Sequence, residues 1–286
     1  MLLVSTVLIL AGFGFKTAAV PFHFWCPDVY TGAPTPVTAF LSVAPKAAGF
    51  AAVIRFFYTG LAQSNGVTGW TVGSVNWTFL LLLISIVSMT FGNIAALRQE
   101  NMKRMLAYSS IAHAGYIFMG AVVLSTDGLQ SILIYLITYL FMNLGAFLVV
   151  IEIYNRTGSF ELKDYRGFYR RSPFLTISMV VFMLSLMGIP PLAGFFGKLF
   201  VFAAAVNRGM AWYAVVGALN SVVAVYYYVR VIKTMVIEPA EDTTRVSTSW
   251  ANEVLVWIML LPTAGLMIFW DRIQKLTSDS MRLFLG

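Results

Sequence analysis

Met187-Gly-Ile-Pro-Pro-Leu-Ala-Gly-Phe-Phe-Gly-Lys198, inside the apolar run from Pro173 to Val206, decides the fold. As one helix those 34 residues would be roughly 51 Å long, against a hydrocarbon core of about 30 Å. Pro190 and Pro191 lack amide donors and clash with the preceding turn, so the helix has to break there. A broken helix leaves backbone groups unpaired, which a membrane tolerates only where protein or water surrounds them. Lys198 follows the break at the same depth. An intramembrane lysine costs about 2.5–3.5 kcal/mol on insertion scales, so its default reading is functional. A helix break beside a buried cation is how ion-translocating membrane proteins build sites near the midplane.

The whole chain fits such a protein. It has 286 residues, 59% hydrophobic and 11% charged, against about 25% charged in a soluble domain. The expected fold class is therefore all-α, a polytopic membrane helix bundle in a single transmembrane domain over residues 1–286. The net charge of +7 is not a nucleic-acid signal here; it has to be counted loop by loop. One cysteine, Cys26, excludes an intrachain disulfide and a cysteine-based metal site, and two histidines exclude a histidine-rich one. Residues 1–10 lack the basic start of a signal peptide. There is no dinucleotide fingerprint, phosphate loop or cysteine cluster for iron–sulfur ligation, so no cofactor is expected in this chain.

Hydropathy gives eight spans: Leu2–Phe22, Pro36–Thr59, Val75–Leu97, Arg104–Leu124, Leu129–Tyr154, the broken Pro173–Val206, Ala211–Ile237 and Trp250–Trp270. Alternate crossings place Arg98, Lys103, Arg104, Arg156, Lys163, Arg166, Arg170, Arg171, Arg230, Lys233 and Arg245 on one side, and Arg208, Arg272, Lys275 and Arg282 on the other. The more basic side should face the cytoplasm, with both chain ends outside. Trp70, Trp77, Trp212 and Trp270 then fall near the outer interface, where an aromatic belt belongs.

Ala11-Gly-Phe-Gly-Phe-Lys16 and Ala193-Gly-Phe-Phe-Gly-Lys198 share the pattern A-G-F-x-x-K on spans five helices apart, which cross in opposite directions. That is the pattern expected of inverted five-helix repeats, although Ala, Gly and Phe are common enough here for chance to compete. On this division residues 1–60 end a first repeat, 73–238 form a second, and 250–271 add a C-terminal helix. Three helices would then be missing before Met1.

Lys16, Lys46, His113 and Lys198 are the ionisable groups furthest from span ends. Lysines in apolar surroundings and histidines can both exchange protons near neutral pH, and four such groups on four helices suit a proton relay. The competing reading is a snorkelling interfacial residue for each lysine and a hydrogen-bonded packing residue for His113. Ser109, His113 and Tyr116 share one helix face, which could hold a water wire or simply pack helix on helix. Arg55 reads as a snorkelling or structural charge. Glu152 reads as an interfacial residue or the mouth of a proton path. His23 and Asp28, among Pro27, Pro34 and Pro36, could belong to a ligand-bearing loop or a plain turn.

Three stretches carry a family resemblance. Residues 15–37, Phe-Lys-Thr-Ala-Ala-Val-Pro-Phe-His-Phe-Trp-Cys-Pro-Asp-Val-Tyr-Thr-Gly-Ala-Pro-Thr-Pro-Val, resemble the broken seventh helix of the antiporter-like subunits of respiratory complex I, with subunit N nearer than L or M. Asn101-Met-Lys-Arg-Met-Leu-Ala-Tyr-Ser-Ser-Ile-Ala-His-Ala-Gly-Tyr116 is similar to that family's tenth helix, and the stretch from Gly188 to Lys198 to its broken twelfth. The resemblance covers nearly the whole chain. It implies a multi-pass subunit in the bacterial inner membrane, beside other antiporter-like subunits. It further implies that Lys16, Lys46, His113 and Lys198 form a proton-carrying axis. Quinone reduction elsewhere in the complex would drive this transport, with NADH, FMN, iron–sulfur clusters and quinone in partner subunits. Members of the family have a further N-terminal half, so the resemblance too implies a truncated front. A subunit of a multi-subunit cation/proton antiporter, or a truncated, non-conducting scaffold of the membrane arm, are the alternatives.

The charge count yields a topology test. Single cysteines at Ser159 and Ser64, in a Cys26→Ser background, should react with membrane-impermeant thiol reagents from opposite sides. Reaction of both from one side would refute the span assignment.

Overall fold

Four helices start on a side chain that takes up an orphan amide. Asn76 accepts from Phe79 N, Asn101 from Arg104 N, Ser125 from Gly128 N and Ser249 from Asn252 N. These caps fix where the chain turns back into the membrane. The computed structural model describes residues 2–57, 71–72, 75–123, 125–240, 244–246 and 248–285. Its helices are α1 Leu2–Thr17, α2 Trp25–Gly32, α3 Thr35–Ile54, α4 Trp77–Leu97, α5 Met102–Val122 and α6 Thr126–Thr157. They continue with α7 Phe168–Arg171, α8 Pro173–Met187, α9 Ala193–Asn207, α10 Ala211–Val236, α11 Trp250–Gly265 and α12 Trp270–Leu285. Short 3-10 turns cover Leu162–Tyr165 and Leu266–Phe269. A pair of two-residue strands, Thr71–Val72 with Val75–Asn76, runs antiparallel ahead of α4.

Among the described residues six helices are long and apolar enough to cross a membrane: α3, α4, α5, α6, α10, and α11 running on into α12. The chain is a multi-pass membrane protein. Two further crossings are made of half-helices, α1 with α2 and α8 with α9. The expected span Leu2–Phe22 is therefore corrected: the helix ends at Thr17, and the crossing is completed by α2. The last span also outruns Trp270, because the chain stays helical to Leu285. The loop 61–69 and Trp70, used above for topology, lie outside the described residues. The basic loops do gather at one end. Asn101 pairs with Glu161, Gly167 N donates to Thr234 O, and Val246 N donates to Arg171 O.

Helix α5 is buried along nearly its whole length and is the axis of the bundle. It tolerates this because its neighbour α4 comes close at two glycines. A Cβ on Gly92 would lie 2.8 Å from Tyr108 O, and one on Gly115 would lie 2.7 Å from Ser85 O. Small residues at such crossings let backbones meet, which is how membrane helices gain packing energy.

The two broken crossings end their first half-helix in the same way. Ala18 and Gly188 are both left-handed, at φ 57° and φ 89°. The next residue closes the turn, Ala19 N donating to Gly14 O at 2.8 Å and Ile189 N to Leu184 O at 3.0 Å. A proline follows at the third position, Pro21 or Pro191. Matching these closures sets Ala18 against Gly188 and Pro21 against Pro191. On that register Lys16 falls opposite Leu186, and Lys198 opposite Asp28. The A-G-F-x-x-K hexapeptides are thus not equivalent: Lys16 precedes its break and Lys198 follows its own. What recurs is the break, not the hexapeptide.

A left-handed alanine costs about 1–2 kcal/mol relative to glycine. Ala18→Gly should raise the thermal unfolding temperature of the purified protein, and Gly188→Ala should lower it. Opposite signs in a melting experiment check the shared closure; two shifts of the same sign would break the equivalence.

Candidate functional site

A buried polar cluster sits around the midpoint of α5. Lys46 on α3 and His113 on α5 each lie eleven residues from their helix starts at the basic end, roughly 17 Å deep. Lys46, His113 and Lys198 are 2%, 2% and 5% exposed. The fold brings these three together, as the sequence leads one to expect.

Lys198 is held by the break. Its Nζ donates to Met187 O at 2.7 Å, the last carbonyl of α8. A cation at a helix C-terminus meets the negative end of the macrodipole and an acceptor the helix cannot use. Gly188 makes the approach possible: a Cβ there would lie 2.9 Å from Lys198 Cδ, in a backbone conformation that side chains rarely adopt. The other lip of the break is satisfied too. Gly194 N donates to Ser185 Oγ at 3.0 Å, so a serine of α8 caps the start of α9. The Lys198 ammonium also lies 5.0 Å above the Tyr116 ring.

Lys46 donates to Ser110, to its carbonyl oxygen and, at 2.5 Å, to its hydroxyl. Tyr139 donates to the same hydroxyl at 2.8 Å. His113 shares hydrogen bonds with Tyr135 Oη through Nδ1 at 2.8 Å and with Tyr228 Oη through Nε2 at 3.2 Å. Tyr228 Oη is in turn 2.5 Å from Ser109 Oγ. The two groups touch through rings, His113 against Tyr139 with centroids 5.0 Å apart. His113 also meets Tyr116 at 5.9 Å, and Tyr116 leads to Lys198. Hydroxyls that both donate and accept therefore surround the histidine on α5, α6 and α10, with an amine on each side. Such groups can hand a proton along by reorienting.

Tyr116, expected on the same polar face as Ser109 and His113, sends its hydroxyl elsewhere. It accepts from Asn93 Nδ2 at 3.1 Å. Asn93 also donates to Asn220 O at 3.0 Å and accepts from Tyr227 Oη at 3.0 Å. This junction ties α4, α5 and α10 together. The phenols Tyr135, Tyr139, Tyr227 and Tyr228 were not singled out from the sequence. Three consecutive tyrosines, Tyr226–Tyr228, and a second pair four residues apart, Tyr135 and Tyr139, both in apolar spans, are the signal that could have found them.

Lys16 is not brought into the cluster. It lies exposed on α1, lining an apolar groove of about 480 Å³ with Gly12, Ala48, Gly49 and Ala52. A Cβ on Gly49, three residues after Lys46, would lie 3.2 Å from Lys16 Cγ, so the lysine stem packs against α3 although the residue is exposed. α1 is an edge helix, and its contacts are chiefly with α3.

The remaining charges resolve as structure. Glu152 is buried, pairs with Arg156 at 2.8 Å and accepts from Asn252 at 2.6 Å, joining α6 to α11. Asp28 pairs with Arg104 at 3.2 Å, but at 74% exposure the pair contributes little. His23 lies in the turn that joins α1 to α2, whereas Asp28 sits on α2, which starts at Trp25. Lys103 donates to Thr31 O at 3.1 Å and Ala33 O at 2.6 Å, capping the end of α2. Arg55 is exposed just past the end of α3. Among the described residues no group of three or more His, Cys, Asp and Glu could hold a metal ion.

Comparison with known proteins agrees with this architecture. Residues 1–224 match the family described as NADH:quinone oxidoreductase/Mrp antiporter, transmembrane. The chain is 47% identical over 297 residues to NADH-quinone oxidoreductase subunit N of Anaeromyxobacter, covering 100% of this chain and 57% of the relative. It is 47% identical over 245 residues to NAD(P)H-quinone oxidoreductase subunit 2 of Synechocystis, covering 86% of this chain and 45% of the relative. The chain thus spans about half the length of the curated relatives it matches. A chain of respiratory complex I from Thermus thermophilus with bound aureothin superposes with a TM-score of 0.69 at 38% identity, over 89% of this chain and 56% of that one. A chain of the Mrp complex from Dietzia gives a TM-score of 0.79 at 18% identity, over 99% and 61%, a likeness of fold alone.

Asn93 offers a test of the junction. Asn93→Leu keeps the branched shape but leaves the buried Tyr227 Oη without its acceptor, at a cost of about 1–3 kcal/mol. A clear fall in the thermal unfolding temperature is expected, relieved in part by adding Tyr227→Phe. An unchanged melting curve would remove the junction from the account.

Proposed function

Since the chain belongs to the family of membrane subunits common to NADH:quinone oxidoreductases and Mrp antiporters, we propose that it carries protons within an NADH:quinone oxidoreductase. Quinone reduction in partner subunits drives the transfer, and this chain performs no redox chemistry. NADH, flavin, iron–sulfur clusters and quinone then belong to the partners. Relatives 43–47% identical across the chain bear NADH-quinone oxidoreductase names, which favours this reading over a sodium-coupled antiporter subunit. The 286 residues correspond to about half of such a relative, so the proposal concerns that half.

The observation that carries it is the sequence of buried groups from Lys46, past Ser110, Tyr139 and His113, to Lys198. Every ionisable member can exist neutral or charged. A proton leaving Lys198 leaves an amine that still has N–H bonds for Met187 O, so the cap outlasts the transfer. Histidine passes a proton by receiving at one ring nitrogen and releasing at the other, and here both nitrogens already face hydroxyls. Loading one amine disfavours loading its neighbours by repulsion, which in a low-dielectric interior reaches further than in water. Lys16 would join this relay through whatever covers the α1–α3 groove.

Arginine keeps the positive charge of lysine but is effectively never deprotonated. Lys198→Arg and Lys198→Ala should therefore both lower NADH-driven proton uptake into inverted vesicles, by about tenfold or more as for loss of a proton-transfer group, with assembly checked separately. Normal pumping in Lys198→Arg beside loss in Lys198→Ala would make Lys198 a fixed charge. Uptake driven by a sodium gradient and indifferent to NADH would favour the antiporter reading.

A further inference from the structure

At the basic end of the bundle, the outward face of α10 and the 3-10 turn Leu162–Tyr165 enclose an open groove of about 690 Å³. Its upper end is cationic. Lys163, Arg166, Arg230 and Lys233 line it, against two carboxylates, Glu100 and Glu238. Glu238 is already engaged, 3.1 Å from Arg166 and 3.7 Å from Lys233. Arg230 is anchored on the carbonyls of Leu97 and Gln99. An excess of positive charge remains at the mouth, on Lys163 above all, which is exposed.

Below the charges the groove becomes apolar. Val222, Tyr226 and Val229 line it and are 68%, 63% and 44% exposed. These residues lie on the α10 face turned away from the buried Tyr227 and Tyr228. From Lys233 back to Val222 is eleven residues, roughly 17 Å along the helix axis toward the membrane centre. The wall is fixed: Leu162 N donates to Glu100 O at 2.7 Å, and Gly167 N to Thr234 O at 3.0 Å.

We infer that this groove is a binding site for one anionic phospholipid of the bilayer, with its phosphate among Lys163, Arg166 and Lys233 and an acyl chain along Val222, Tyr226 and Val229. The occupant must be anionic at one end and apolar for some 17 Å beyond. A bilayer lipid supplies both in one molecule and in the correct orientation relative to the membrane. A neighbouring transmembrane helix would cover the apolar part but would need acidic residues at its basic-side end, where membrane proteins carry lysine and arginine instead. Free phosphate would satisfy the mouth and leave the apolar wall uncovered.

The test uses inverted vesicles that hold the assembled complex. Phosphatidylglycerol and phosphatidylcholine with the same photoactivatable acyl chain are added separately. Phosphatidylglycerol is expected to label the peptide containing Val222–Arg230 about tenfold more than phosphatidylcholine. Unlabelled phosphatidylglycerol should compete, and inorganic phosphate should not. Lys163→Gln with Lys233→Gln should lower the labelling of that peptide by about tenfold, while Lys275→Gln, at the other membrane face, should leave it unchanged. Equal labelling by the two lipids in the unaltered protein overturns the proposal without reference to any variant. So does competition by phosphate, undiminished labelling in the double variant, or a benzophenone at position 226 that crosslinks to another protein instead of lipid.

Discussion

The carbonyls at the end of an interrupted helix, deep in a membrane, have to find a donor other than water, and at the second break of this protein the Lys198 ammonium is that donor, serving the last carbonyl of α8. At the basic face, Lys103 serves Thr31 O and Ala33 O at the end of α2 in the same way. Lys46 serves the carbonyl of Ser110 inside α5. At Lys198 the amine is held where hydrocarbon would otherwise exclude it, and the carbonyl is paired where the helix would otherwise leave it bare. Cost and need cancel in the same contact. A site of this kind cannot be assembled from charge alone; it requires the break, and the break requires the charge.

Much of this was legible in the sequence, because proline and lysine are incompatible with an apolar span for reasons that do not depend on neighbours. Pro190, Pro191 and Lys198 fixed the second break and its amine. The positions of Lys46 and His113 within their spans placed them at one depth. The resemblance of residues 15–37 to a broken helix outperformed hydropathy, which carried the first span through Phe22 although the helix stops at Thr17. Ala18 explains the miss: it adopts a left-handed turn that glycine announces and alanine does not.

Other features depend on tertiary contacts that no local pattern encodes. The shared hexapeptide of Lys16 and Lys198 suggested equivalent sites, yet the two sit on opposite sides of their breaks. The equivalence resides in backbone closure, which allows different residues at matching positions: glycine against alanine, lysine against aspartate. Tyr228 and Asn93 become partners of α5 only because α10 and α4 pack against it. Lys16 illustrates the reverse: a residue whose neighbours in sequence look like those of Lys198 lies on an open groove, because only α3 flanks that side of α1 among the close helix pairs.

The long helical segment from Trp250 to Leu285 runs antiparallel beside α6 and is clasped at both ends. Asn252 holds Glu152 near the basic face, and Thr277 meets Gln130 near the other. Along α6 the two clasps, at Gln130 and Glu152, lie roughly 33 Å apart. The two clasps lie on either side of the 3-10 turn Leu266–Phe269, so α6 acts as a splint for a segment whose own helical ladder is interrupted between them.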